Sequence, residues 1–187
     1  VTAQAIMGIL PNNASISAGE ILFNNPTSGE LVDIAALDPD SAQMQSIRGG
    51  SISIIFQEPM TSLSPVHTIG DQISEALFLH REASRAEGLK LTETMLRHVG
   101  FPDPEHAMEM YPFELSGGLR QRAMIAMAMI CQPSLMIADE PTTALDVTIQ
   151  ARILKLVKEL QTELGMALLL ITHDLGVVAN MADRVVV

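Results

Sequence analysis

The chain is 187 residues long, 48% hydrophobic and only 3% aromatic, with a formal net charge of −11 and a mean hydropathy of +0.28. That acidic balance leaves no basic patch to release counterions, which excludes a general nucleic-acid binder, and a single cysteine excludes a disulfide framework and fits a reducing compartment. The longest unbroken apolar run, Ala123 to Cys131, is too short to span a bilayer, so this length reads as one core with room for an inserted subdomain.

Thr2 to Leu10 has a helix-like pattern stopped by Pro11. Glu20 to Phe23 and Leu31 to Ile34 are short strand candidates separated by an Asn-Asn-Pro-Thr-Ser-Gly turn cluster. Asp38 to Ile47 reads as a short helix ended by Gly49-Gly50. Ser51 to Phe56 reads as a strand, followed by Gln57-Glu58-Pro59. From Thr68 to Met110 the pattern becomes helical. Ile69, Ile73, Ala76, Leu77 and His80 keep a helical period, as do Leu91, Met95, Leu96 and Val99. Pro102, Pro104 and Pro112 break this stretch into pieces, and none of it reads as strand. His67, His80, His98 and His106 have no partners in this context and are assigned no role.

Ser116 is a good N-cap for a helix running to Ile130, and Gly117-Gly118 lets a backbone come close to something else. Arg120 and Arg122 stand in its first turn, where the helix dipole disfavours cations. Pairing with Glu114 and attraction to a nearby polyanion both account for them. Cys131 ends the apolar run and reads as an inert buried thiol. Ser134 to Asp139 then delivers two adjacent carboxylates, Asp139 and Glu140, before Pro141. The apolar residues read as a buried parallel strand. Proline cannot continue a ladder and pushes the preceding residue toward an extended conformation. Adjacent strand residues face opposite ways, so the two carboxylates should have different tasks. On these residues alone a solvated acidic turn is an equally good reading.

Asp146 is placed to cap the next helix, whose apolar stripe is Ile149, Ile153, Leu156, Val157, Leu160 and Leu164, with Gly165 as its stop. Ala167 to Ile171 is a further buried strand that delivers Thr172-His173-Asp174. A helix from Leu175 to Met181 leads to Arg184-Val185-Val186-Val187, which looks like a strand cut short. Alternating strands and helices imply an α/β fold with a mostly parallel sheet. In such sheets ligands bind at the carboxyl ends of strands, and Gln57, Asp139, Glu140 and His173 all fall at such ends. The opening on Val1 and the closing valines suggest a segment of a longer protein.

Taken in order, these motifs resemble the nucleotide-binding subunit of ABC transporters, over nearly the whole chain. Leu115-Ser-Gly-Gly-Leu-Arg-Gln-Arg122 looks like the family signature and Leu135-Met-Ile-Ala-Asp-Glu-Pro141 like its Walker B strand. Ala144-Leu-Asp146 looks like the D-loop, Gln57 like the Q-loop and His173 like the switch histidine. Ile55-Phe-Gln-Glu-Pro-Met-Thr-Ser-Leu-Ser-Pro65 and Pro141-Thr-Thr-Ala-Leu-Asp-Val-Thr148 resemble the oligopeptide and dipeptide importer branch in particular.

The resemblance implies a P-loop NTPase with a RecA-like core, residues 1–66 and 134–187, and a helical subdomain, residues 67–133, carrying the signature. It implies ATP and Mg2+ as ligands. Asp139 would hold magnesium through water, and Glu140 would act as general base on the attacking water. Gln57 would contact magnesium or that water, and His173 would reach the γ-phosphate. Ser116, Gly117 and Gly118 would offer N–H groups to ATP held by a second subunit, with Asp146 at the same seam. The implied partners are that second ATPase subunit and transmembrane permease subunits, at the cytoplasmic face of the inner (plasma) membrane; no nucleic acid is expected.

Two departures stand out. Leu119 occupies a signature position that is glutamine in most of the family. No Gly-x-x-x-x-Gly-Lys-[Ser/Thr] loop occurs in these residues, and Val1-Thr2-Ala3 looks like the helix that follows that loop. The expectation is an internal stretch of a peptide-importer ATPase, inactive by itself. An ABC-type ATPase of DNA repair or chromosome maintenance, and a non-catalytic relative that lost the phosphate loop, remain as alternatives.

Overall fold

The computed structural model describes residues 1–26, 28–56, 62–141 and 146–187. Its centre is a parallel sheet of β3 (Ile52–Ile55), β4 (Leu135–Asp139) and β5 (Ala167–Ile171), in that spatial order. The register pairs Ile52 with Leu135 and Leu135 with Ala167, and ends with Asp139 opposite Ile171. All three strands therefore finish on one edge. A separate antiparallel pair, β1 (Leu22–Asn24) and β2 (Leu31–Asp33), precedes this sheet and sets Leu22 against Asp33.

Both faces of the sheet are covered, which explains why β4 is an unbroken apolar run rather than an alternating one. Met136 and Ile137, neighbours on β4, are fully buried in opposite cores. On one face, Ile137 and Ile52 meet Val32, Ile34, Met44 and Ile47. Met44 and Ile47 come from α2 (Ala42–Ile47), and Ala3, from α1 (Thr2–Ile6), joins the same cluster. Ser41 caps α2 by accepting the Met44 N–H at 3.2 Å. The helix at the start of the chain is shorter than its sequence pattern suggests. Met7 and Gly8 close it, with Gly8 at φ +61°, and the Arg48 guanidinium donates to the Met7 carbonyl at 2.8 Å.

On the other face lie α3 (Ile69–His80), α4 (Arg85–His98), α5 (Pro104–Glu109), α6 (Gly117–Met129) and α7 (Val147–Leu164). Ile69, Ile73 and Leu77 of α3, Leu96 of α4 and Ile125 and Met129 of α6 have no measurable exposure. Each such side chain contributes about 1.5–3 kcal/mol relative to exposure. Thr68 and Ser84 cap α3 and α4, accepting from Asp71 and Glu87. The apolar stripe of α7 is buried at Ile153, Leu156, Val157 and Leu160, and the helix stops at Gly165 with φ +63°. α6 buries Gln121, Ala123 to Ala126 and Met129, and most of its other residues are half-buried.

The last helix, α8 (Leu175–Met181), follows β5. Beyond it, Arg184 to Val187 does not form the strand its valines suggest. A strand needs a neighbour to complete its ladder, and here Val185, Val186 and Val187 pair with nothing among the described residues and lie exposed.

Candidate active site

β4 ends at Asp139, and the next residue departs from strand geometry. Glu140 has φ +48°, so it is not extended before Pro141 as the sequence suggests. A following proline disfavours the right-handed helical region, and what remains is extended or left-handed backbone. The left-handed choice in a non-glycine residue costs on the order of 1–3 kcal/mol and occurs where surrounding structure over-determines it. Here the Glu140 N–H donates to the Ile171 carbonyl at 2.9 Å, continuing the β4–β5 pairing one step past Asp139. The twist aims the Glu140 carboxylate toward β5. Its Oε1 lies 2.9 Å from Nδ1 of His173.

His173 stands two residues beyond β5, between Thr172 and Asp174, whose side chains shape the turn. Thr172 Oγ1 accepts the Asp174 N–H at 3.1 Å, and Asp174 Oδ1 accepts from Gly176 and Val177 to cap α8. The imidazole is 77% exposed and the Glu140 side chain 23%. Hydrogen bonding to Glu140, aided by its negative charge, holds the His173 pKa above the usual imidazole value. With Nδ1–H donated to Glu140, Nε2 is the atom left to meet another group.

Asp139 is half-buried, and its carboxylate makes no hydrogen bond or ion pair with the described residues. No cluster of three or more His, Cys, Asp or Glu suited to a metal occurs among them. A lone carboxylate at a strand end suits magnesium, which keeps several waters and takes one or two carboxylates plus phosphate oxygens.

The second half of the site is the start of α6. Ser116 caps it, its hydroxyl accepting the Leu119 N–H at 3.4 Å. A Cβ on Gly117 would meet nothing within 4 Å, whereas one on Gly118 would lie 3.4 Å from the Ile149 side chain. Gly117 thus leaves open space where a side chain would project, and Gly118 allows α6 to approach α7. The Asp146 carboxylate accepts the Ile149 N–H at 2.9 Å, so its capping task is confirmed. The two arginines donate to backbone carbonyls. Arg120 Nε donates to the Leu115 carbonyl at 3.0 Å, and Arg122 reaches the Val99 carbonyl at the C-terminal end of α4. Glu114 accepts the Tyr111 N–H. Gln57 lies outside the described residues, as do Ala144 and Leu145.

Sequence reading assigned no role to Gln121. It is fully buried, and its Nε2 donates to the Pro141 carbonyl at 2.6 Å. The available signal was its spacing: Gln121 shares the inward face of α6 with Met124 and Ile125, where an apolar residue would be expected.

A sequence profile described as ABC transporter matches residues 3–143. The chain belongs to the ABC transporter family. A Brucella ovis protein whose name assigns it provisionally to peptide import is 56% identical over 188 positions, covering all of this chain and 55% of that protein. The dipeptide transport ATP-binding protein DppD of Bacillus subtilis is 52% identical, covering all of this chain and 54% of its own length. The glutathione import ATP-binding protein GsiA of Escherichia coli is 49% identical, again across the whole chain and 30% of GsiA. The chain thus spans about half, or less, of the length of these relatives.

Among solved structures, the ATP-binding cassette MJ0796, dimeric and bound to ADP and Pi, superposes with a TM-score of 0.72 at 29% identity, over 94% of this chain and 71% of that one. CbiO1 of Clostridium perfringens, part of the transporter complex cbiONQ, gives 0.72 at 27% identity, over 97% and 65%. The expected P-loop NTPase fold, α/β with a parallel sheet, is therefore that of ABC ATPase cassettes.

Proposed function

We propose that this chain carries the catalytic half of the ATP site in a subunit that powers peptide import. The observation that supports it most is the 2.9 Å pairing of Glu140 and His173 where β4 and β5 end together. Hydrolysis of ATP requires a water held in line with the γ-phosphate, a base for its proton, and positive charge to meet the transition state. Glu140 orients the water and takes its proton as general base. His173, oriented by Glu140 and favoured as a cation by it, meets the γ-phosphate through its other ring nitrogen. Asp139 and Gln57 are the residues that would hold magnesium, and Gln57 would alternatively contact the attacking water. Magnesium, when bound, neutralises phosphate charge.

Ser116, Gly117 and Gly118 give the other half of the reading. Their backbone and the positive end of α6 receive an anion. In a dimer that anion is the ATP of the opposite subunit, and Asp146 lies at the same seam while capping α7. The dimeric MJ0796 cassette supports the dimer in this reading. Residues 67–133 are assigned to a helical subdomain and residues 1–66 and 134–187 to the ATPase core; among the described residues, 67–133 contain helices and no strand.

Relatives named for peptide, dipeptide and glutathione import support a peptide-class solute and permease partners. No helix among the described residues is long and apolar enough to cross a membrane. A peripheral position at the cytoplasmic face of the inner membrane, held by the permease subunits, fits that.

In the full-length protein, Glu140→Gln is expected to lower steady-state ATP turnover by about 10²–10⁴-fold while ATP stays bound. Undiminished turnover would remove the role given to Glu140. The 187 residues contain no Gly-x-x-x-x-Gly-Lys-[Ser/Thr] loop to hold phosphates. We infer that they are inactive by themselves, and micromolar ATP binding to this stretch in calorimetry would contradict that.

A further inference from the structure

Among the described residues, Gln121 is the only buried polar side chain of α6. The group it faces is a carbonyl oxygen, that of Pro141 at 2.6 Å, so its NH2 must point there. The other end of the amide is less comfortable: Oε1 is buried without a hydrogen-bond partner. An apolar side chain of similar length would remove the orphaned Oε1 but would leave the Pro141 carbonyl without this donor, so packing alone does not account for the amide. Its donation to Pro141 does.

Pro141 directly follows Glu140, the residue held at φ +48°. On one side the Glu140 N–H is tied to Ile171; on the other, the carbonyl of the next residue is tied to Gln121. With both flanks anchored, the strained backbone keeps its carboxylate within reach of His173. The second anchor belongs to the helix that begins with Ser116, Gly117 and Gly118, one turn before Gln121.

We propose that Gln121 is a positioning residue: it fastens the Glu140–Pro141 turn to α6, so that the seating of the helix start governs the placement of Glu140. This rests on the ATPase reading above. It extends that reading by making the anion-receiving end of α6 and the general base of the same chain mechanically one unit.

The test uses the full-length protein with Gln121→Met, which keeps length and removes the donor, beside Met124→Leu, which perturbs packing on the same helix face. Gln121→Met is expected to lower kcat for ATP hydrolysis about ten- to hundredfold with KM within about twofold. It should also shift the Pro141 carbonyl ¹³C resonance as the hydrogen bond is lost, while Met124→Leu leaves both nearly as they were. Unchanged kcat, an unmoved Pro141 resonance, or an equal loss in Met124→Leu overturns the proposal. If Gln121→Met does not fold, Gln121→Glu is read instead. In this buried site its carboxyl stays protonated and can donate to Pro141, so retained kcat supports the link and lost kcat overturns it. Absence of turnover in the unaltered protein would count against the ATPase reading alone, because the Pro141 resonance reports the link without catalysis.

Discussion

At the carboxyl edge of the sheet the chain presents side chains, Asp139, Glu140 and His173, whereas at the start of α6 it presents backbone, Ser116 through Gly118. The first region places charge at the ends of paired strands, and its central residue sits in left-handed backbone. The second is marked by what is missing. A Cβ at Gly117, in the first turn of a 13-residue helix, would project into open space. The two therefore fail in opposite ways: one by losing atoms, the other by gaining them.

The largest effect at the backbone end should come from Gly117→Asp. There is room for the side chain, and a carboxylate in the first turn of a helix is favourable to folding. The denaturation midpoint of the full-length protein should therefore hold or rise. ATP turnover should nevertheless fall about 10²–10³-fold, the scale of losing one donor to developing negative charge. Turnover near that of the unaltered protein would mean that the helix start meets no anion.

A smaller effect is expected at the side-chain end, in the titration of His173. Its pKa is raised by Glu140, so an NMR titration should place its midpoint above the ordinary imidazole value, and Glu140→Gln should bring it back down. The sign follows from linkage. The pairing favours the folded state fully below the ordinary imidazole pKa and fades as pH rises through the raised one. A midpoint unaffected by Glu140→Gln would show that the 2.9 Å contact does not persist in solution.

The same contrast explains what could be read from sequence. The parallel strands, the caps Ser116 and Asp146 and the stop at Gly165 were legible because each depends on a few neighbouring residues. So was the delivery of Asp139, Glu140 and His173 to one edge, which follows once the strands are parallel. The left-handed Glu140 was not, since it depends on pairing with β5. The bond from Arg122 to the Val99 carbonyl was not legible either, because it is set by how α4 packs against α6. Gln121 was passed over because its acceptor lies on a turn that only tertiary structure brings near. The closing valines misled in the other direction, since strand propensity without a neighbouring ladder makes no strand.

The central claim is that Glu140 and His173 act as one unit at the joined ends of β4 and β5. A double-mutant cycle on ATP turnover of the full-length protein, with Glu140→Gln, His173→Ala and both together, tests it most directly. Residues that act as a unit are strongly non-additive, so the double variant should lose little beyond the more damaging single change. Losses that multiply would show two independent groups and contradict the account.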